Sequence, residues 1–393
     1  MSVLPGIIGT GDWSADDYPE NWRTTLLRLR PNAKSVLTML MGLAKTEETD
    51  APNYHWGEKG IRQMVFASGA ATSTATTIVF TGTTPLKPIR NGHVLRNTRS
   101  QEVVWVDADP SSPYTDLSCI RGDSCGSTSA AVNAADNWIL VTTRHEENAT
   151  PPQGNYRTPT WIENYTEIFR NVISLSRTTK KTALRYAKEG PTKEMLHDAL
   201  EDHMIDIESA GIWGVPYEGT GADGLPERTT GGMLHYCTTS GTDFGGSFSL
   251  LDFLDALRIA MRYGSNTKLC LMGDQALLTL MHFVLSNSSF QVDANTKMWG
   301  MNVLRILSPF GTLMVKQHEL LTDSEDYSDW ALIIDTKNVR YRPLRESDTK
   351  LIPNAVKDGR DGEISEYLGE GGWEWDLEQT HAVWENFAGF STS

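Results

Sequence analysis

The stretch from Pro191 to Gly214, PTKEMLHDALEDHMIDIESAGIWG, constrains the fold more than any other. Leu196, Leu200, His203 or Met204, Ile207 and Gly211 recur at three- and four-residue steps, with Met195 and Ala199 beside them. That spacing places one apolar stripe on a helix. Pro191 and Thr192 mark its start, with Thr192 offering an N-cap oxygen to the open amides of the first turn. Gly211 and Gly214 mark its end. The opposite face carries Glu194, Asp198, Glu201, Asp202, Asp206 and Glu208 against the single Lys193. Two readings of that face stand: a solvated acidic surface above a core stripe, or a rigid spine whose acidic edge meets a neighbouring copy.

A helix of this kind needs a core to lie on, and 393 residues suffice for two or three cores or for one elongated fold with insertions. With 39% hydrophobic and 22% charged residues, the composition is that of a folded chain. No apolar run approaches the roughly 20 residues of a membrane span. The start, MSVLPGIIGTGDW, lacks a basic segment followed by an apolar one, so no secretion signal is expected. Cys119, Cys125, Cys237 and Cys270 are scattered, which fits buried or idle thiols in a reducing cytoplasm. The formal net charge of −15 opposes binding to phosphate backbones and anionic membranes. It permits a protein that lies near DNA without adhering to it.

Residues 1–50 read as an arm. Prolines and glycines interrupt its first part, and Val36–Ala44 is a short apolar helix candidate before a polar run. Leu26, Leu27, Leu29 and Val36–Leu43 cannot build a core alone, so the arm either stays loose or docks on something else. Between 56 and 143, TTIVFT (76–81), EVVWVD (102–107), DLSCIR (116–121) and NWILVTT (137–143) are β-branched and aromatic runs separated by turn residues, the pattern of an extended β insertion. A new element begins with WIENYTEIFRNVISLS (161–176). Arg177, Lys180, Lys181, Arg185 and Lys188 then form a basic block directly before the acidic helix. The two blocks can pair within one chain, each exposed pair contributing about 0–1 kcal/mol, or across copies, where they would set orientation. Gly219–Gly232 reads as a glycine-rich mobile loop. A helix at 249–263 capped by Ser249 and stopped by Gly264, a strand at 268–272 and a helix at 274–285 follow. Strands at 303–307, 312–316, 330–334 and 338–342 complete a second α+β region. The tail sets Trp373, Trp375 and Trp384 among carboxylates and ends in a strand.

The sequence offers no catalytic constellation. His145-Glu146-Glu147 lacks the second histidine of a zinc-protease helix, Gly9-x-Gly11 lacks a third glycine and a preceding strand, and there is no G-x-S-x-G elbow. The nine histidines do not cluster at ligand spacing, so no metal or cofactor is expected. Arg121-Gly122-Asp123 reads as a turn after a strand.

Asn164-Tyr165-Thr166-Glu167-Ile168-Phe169 followed by Val172-Ile173-Ser174-Leu175-Ser176 resembles a signature of tailed-phage major capsid proteins, specifically the SU-ten-like family. Further pieces agree in order: Trp56-Gly57-Glu58, Arg121-Gly122 with Gly126-Ser127, Ile207-Glu208, Gly231-Gly232 and Tyr263-Gly264. The resemblance spans about residues 50 to 345. Glu167 departs from it, standing where glutamine is expected, and the tryptophan-rich tail has no counterpart.

The resemblance implies an α+β phage capsid fold of the Hong Kong-ninety-seven type. Its parts would be an N-terminal arm (1–50), an extended loop with a β insertion (51–160), a peripheral domain with the spine helix (161–230), an axial domain (231–330), and a return to the peripheral domain with the tail (331–393). It implies a structural protein, not an enzyme. Such a protein self-assembles as hexamers and pentamers into an icosahedral shell around double-stranded DNA, made in the host bacterial cytoplasm. A scaffolding protein, a portal and a decoration protein are its expected partners, with no membrane and no sequence-specific DNA contact. Arg177, Lys180, Lys181, Arg185 and Lys188, and Glu194, Asp198, Glu201 and Asp202, are the candidate inter-subunit contacts. An encapsulin-like nanocompartment shell is the alternative, followed by a soluble β-rich hydrolase.

Overall fold

The computed structural model of the chain describes residues 45–82, 85–148, 154, 156–181, 191–286, 291–298, 301–353 and 362–389. The helix expected at Val36–Ala44 and nearly all of the expected arm lie outside them. The chain forms two units, one of residues 57–160 and one of the remainder. Strands β1 (Lys45–Thr46) and β2 (Asn53–Glu58) come first.

Within the smaller unit six antiparallel strands make one sheet. They are β3 (Val65–Ala67), β4 (Thr77–Val79), β5 (His93–Asn97), β6 (Val103–Val106), β7 (Asp116–Ile120) and β8 (Asn137–Thr143), ordered β3-β8-β5-β6-β7-β4. β4, β6, β7 and β8 fall within the four expected runs. β3 and β5 carry no such run: one is three residues long and the other reads HVLRN, too little apolar sequence to show a period. Alternation sends Trp138 and Leu140 inward and Ile139 and Val141 outward along β8. Trp138 packs with Phe66, Ile78, Leu95, Val104 and Leu117 and donates its indole N–H to Ser68 Oγ at 3.0 Å.

This sheet holds one buried ion pair. Arg121 Nε and Nη2 donate to the two carboxylate oxygens of Glu102, each at 2.8 Å. The remaining guanidinium hydrogens reach the carbonyls of Thr72, Ala75 and Ala130 at 2.6–3.1 Å. Arg121 therefore points inward, and Gly122–Cys125 is a single 3₁₀ turn after β7. The four cysteines are buried and form no disulfide.

The larger unit continues with β9 (Thr160–Tyr165), which pairs with β2, then β10 (Glu167–Ser176), α1 (Arg177–Lys181) and α2 (Pro191–Trp213). Next come β11 (Tyr217–Thr220), β12 (Pro226–Thr229), α3 (Met233–Tyr236), β13 (Gly241–Asp243), α4 (Leu250–Ala260), β14 (Thr267–Met272) and α5 (Asp274–Ser286). β15 (Gln291–Met298), β16 (Met301–Ser308), β17 (Gly311–Gln317), α6 (Glu319–Asp323), β18 (Ala331–Ile334), β19 (Val339–Pro343), β20 (Lys350–Ile352), β21 (Gly362–Trp375) and β22 (Ala382–Glu385) complete it. One sheet runs β1-β19-β21-β10, with β20 beside β21; the other runs β13-β22-β18-β14-β17-β16-β15.

The central strands β14 and β18 of the seven-stranded sheet are buried on both faces, which is why residues 269–272 and 331–334 read as unbroken apolar runs. Leu269, Leu271, Leu332 and Ile334 face a core shared with α2, Phe169, Tyr341, Trp373 and Trp375. Cys270, Met272, Ala331 and Ile333 face a second core with Phe253 and Leu257 of α4, Leu280 and Phe283 of α5, and Trp384. The tail tryptophans, expected among carboxylates, are core residues: Trp373 and Trp375 of β21 lie in the core shared with α2, and Trp384 of β22 lies in the second.

Ser249 caps α4 as expected and forms a reciprocal capping box with Asp252. The helix stops at Ala260, short of the expected 263, and Gly264 follows it at φ +82°, a conformation that favours glycine. The buried Lys268 ammonium donates to the carbonyls of Ala260, Tyr263 and Thr380 at 2.6–2.8 Å, so a strand side chain closes the end of that helix. Burial pushes its pKa down to about 8. Gly219–Gly232, expected as a mobile loop, includes most of the β11–β12 hairpin, with Gly219 opposite Glu227. Residues 221–225 join its strands, closed by the Gly221 amide on the Leu225 carbonyl at 2.8 Å, and its polar strands hid it.

Arg121→Met should lower stability by about 3–5 kcal/mol in denaturant titrations, because Glu102 stays buried without its partner. Adding Glu102→Leu should recover most of that loss, since an apolar pair leaves no charge in the core.

Candidate assembly surface

α2 is held by one stripe and by its C-terminal end. Ala199, His203, Ile207, Gly211 and Ile212 are buried, so of the two residues expected to share a stripe position His203 takes it and Met204 is exposed. Thr192 lies inside the first turn, because the helix begins at Pro191. The buried His203 reads as a neutral ring. Asn171 Nδ2 donates to Asp206 (2.9 Å), which turns the Asn171 carbonyl oxygen toward His203 Nδ1 at 2.8 Å. That oxygen only accepts, so Nδ1 carries the proton and Nε2 accepts from the Thr349 hydroxyl at 3.2 Å. Burial holds the His203 pKa below its ordinary value.

Glu208, expected on the acidic face, is buried. It stands three and four residues before Gly211 and Ile212, and its carboxylate accepts from His318 Nε2 at 2.8 Å. His318 Nδ1 in turn accepts the Leu321 amide and caps α6. Spacing on α2 alone could not reveal this partner, 110 residues away.

The end of α2 meets the residues that carried the resemblance. Asn164 Oδ1 accepts the amides of Gly231 (2.7 Å) and Tyr165 (2.8 Å). Its Nδ2 lies within donating distance of the carbonyls of Trp373 (2.7 Å) and Gly231 (3.1 Å) and of Thr230 Oγ1 (3.3 Å). Gly232 donates to the Gly214 carbonyl at 2.8 Å, and a Cβ there would stand 2.7 Å from the Ala210 oxygen, so only glycine allows this approach. Glu167 accepts from the Thr230 amide at 3.1 Å, a bond glutamine would also make. Burial raises its pKa, that bond lowers it, and the Asp206 charge raises it further.

Of the candidate inter-subunit contacts named from sequence, those on α2 are at least partly open to solvent. Asp198 and Asp202 are exposed, and Glu194 and Glu201 are half-buried. α1 lies beside α2 and β10, with Arg177 and Lys181 exposed. Lys180 falls in α1, while Arg185 and Lys188 lie outside the described residues. His197, Asp198 and Glu201 bring ligand-type atoms within 4.8 Å of one another, the only such trio among the described residues. All three come from one open helix surface, far from the four-sided enclosure of a structural metal site.

One surface was not foreseen. α5 buries Ala276, Thr279, Leu280 and Phe283, yet Leu278, Met281 and Leu285 form a second apolar row facing outward, with Leu278 64% and Leu285 80% exposed. A helix apolar on all sides is one that expects cover. The signal was present in the sequence as apolar residues at nearly every position from 276 to 285.

Edge strands, a second apolar helix face and a charged margin describe a subunit prepared for contact with other chains. A family model described as SU10 major capsid protein matches residues 7–388, so the chain belongs to that family. It is therefore a major capsid protein of a tailed phage, a component of the icosahedral capsid, with the fold the resemblance implied. The major capsid protein of Pseudomonas phage PaMx41 is 23% identical over 389 residues, covering 95% of this chain and 87% of the relative. Among solved structures, that of Microbacterium phage Oxtober96 is similar over 98% of this chain and all of the other at 10% identity and a TM-score of 0.48. The capsid of Myoviridae phage XM1 is similar over 97% and 99% at 12% identity and a TM-score of 0.45. The SrpI encapsulin of Synechococcus elongatus covers 60% of this chain and 81% of its own at 12% identity and a TM-score of 0.43.

Acid should destabilise this unit through His203. Its folded pKa is lowered, so below about pH 6.5 the unfolded chain takes up a proton before the folded one does. Stability is full above 6.5 and falls as pH drops toward the folded pKa. In melts recorded between pH 7.5 and 5, His203→Gln should flatten that part of the slope.

Proposed function

We propose that this chain works as the repeating wall subunit of the shell, in hexamers and pentamers around double-stranded DNA, and performs no catalysis. The observation that carries the reading is the match over residues 7–388, to which the outward apolar row on α5 adds a self-association surface. Residues 1–50 serve as the arm, 51–160 as the extended loop, 161–230 as the peripheral domain with α2 as its spine, and 231–330 as the axial domain. Residues 331–393 return to the peripheral domain and close the chain. Their strands serve both sheets, β19 to β21 joining β10 and β18 and β22 joining β14.

The basic residues Arg177, Lys180, Lys181, Arg185 and Lys188 and the acidic residues Glu194, Asp198, Glu201 and Asp202 make contacts between copies. Each such contact is weak, and closed symmetry repeats it many times. The charge of −15 keeps packaged DNA from adhering to the wall. A scaffolding protein guides closure, a portal occupies one vertex, a decoration protein can cover the outside, and synthesis takes place in the host bacterial cytoplasm.

Expression of the full chain, followed by negative-stain microscopy and sedimentation, tests the reading: closed shells, sheets or capsomers support it, and a persistent monomer opposes it. Leu278→Glu with Leu285→Glu should leave the subunit's melting temperature unchanged and reduce particle yield by about tenfold or more. Deleting residues 1–45 should give a soluble subunit that no longer assembles, measured the same way; unchanged shells would remove the arm from the mechanism.

A further inference from the structure

We propose that a trough along the start of β10 receives the α1 segment of a second copy, with Arg177 and Lys181 as the side chains that enter it. The proposal rests on the shell reading and names one contact within it. The trough joins two clefts that share Glu167, Ile168 and Thr229. One, of about 400 Å³, lies between β10 and the β11–β12 hairpin; the other, of about 620 Å³, lies between β10 and the end of α2.

Its surface combines two chemistries. Ile168 is 61% exposed, Val215 60% and Leu225 70%, a run of apolar side chains open to solvent. Around them stand the carboxylates of Glu167, Asp206, Asp223, Glu227 and Glu370. The cations among the lining residues are Arg170 and Arg228, and each is held by a carboxylate outside the lining: Glu366 at 2.6 Å and Glu218 at 2.8 Å. Glu167, Asp206 and Glu370 accept from a backbone amide, an asparagine amide and a threonine hydroxyl, which offset no charge. The field in the trough is therefore negative over an apolar floor. A long cationic side chain matches it, its methylenes lying on Ile168 and Leu225 while its head reaches the carboxylates.

The chain's own α1 cannot be the occupant. It begins where β10 ends, and the ten residues of β10 place it about 30 Å along the strand from Glu167. A second copy can bring the same segment to the trough, and repetition of that contact from copy to copy gives it weight despite modest single pairs. Partial neutralisation of Glu167, whose burial disfavours its charge, is a further gain from a cation placed there.

Charge exchange in the full chain tests this. Asp223→Lys with Glu227→Lys should cut particle yield at least about tenfold. Arg177→Glu with Lys181→Glu should do the same, and the four changes together should restore assembly. Melting temperatures and sedimentation of each unassembled subunit check that folding is intact. Separately, Asp223→Cys combined with Lys181→Cys should give disulfide-linked dimers and ladders on oxidation of assembled particles, which neither single variant gives. The native cysteines are buried, so background is low. Native yield from the trough variants, no recovery in the four-change variant, or no ladder would overturn the proposal while native particles still uphold the shell reading. Loss confined to assembly with an added scaffold or decoration protein would assign the trough to that partner and overturn it as well. Failure of the native chain to form any particle would defeat the shell reading and this contact together.

Discussion

The amide of Asn164 is the interaction on which the larger unit depends. It is fully buried and ties the β9–β10 junction to Gly231 and to the Trp373 backbone. No other side chain of that size both donates twice and accepts at the same point: aspartate loses the donors, leucine loses everything, and either leaves buried backbone groups unpaired. With the amide in place, Gly232 comes within hydrogen-bonding distance of Gly214 and closes α2. Trp373 donates its indole N–H to the Ile207 carbonyl at 3.2 Å and fills the space beneath the helix. The direction of α2, and with it the charged margin along its outer face, is thereby set from its C-terminal end.

The same layer is joined to the next by strands buried on both sides. In β14 and β18 consecutive residues serve different cores, so α2 and the helices α4 and α5 are packed against one shared sheet. A displacement on one face is felt on the other, because interiors of this density have little room to absorb it. The outward row of α5 is therefore presented on a rigid support. Lys268 strengthens that support where α4 ends, at the cost of an ammonium removed from water and compensated by three carbonyls.

Much of this was legible where local pattern and burial coincide. The stripe of α2, the four β-branched runs of the smaller unit and the Ser249 cap are each fixed by residues within a turn or two of one another. What escaped is set by distant residues. Glu208 reads as one more acidic position on a helix face until His318, the residue after β17, reaches it. The Gly219–Gly232 segment has polar strands with no buried face, and hairpins of that kind have no hydrophobic alternation to announce them. The trough draws its carboxylates from β10, α2, the hairpin and β21, four elements that no spacing rule connects. The family resemblance lay within reach because several of its pieces, Asn164 and Gly231-Gly232 among them, sit at the one node where geometry leaves little choice of residue.

The charge balance explains how such a subunit can associate at all. Copies each carrying −15 repel one another at long range, yet at physiological salt the screening length is about 8 Å, so repulsion fades except near contact. In the proposed assembly, contact is where the local pattern would outweigh the total: apolar rows such as that of α5 would contribute attraction without direction, and charged margins direction with little attraction. A shell built on the first alone would close with errors, since non-directional contacts do not distinguish one orientation from another. A shell built on the second alone would dissolve in salt. On the proposed reading, dividing the two tasks between different surfaces of the larger unit would let misplaced copies detach while correctly placed ones accumulate contacts, so that closure would follow from the number of contacts more than from the strength of any one.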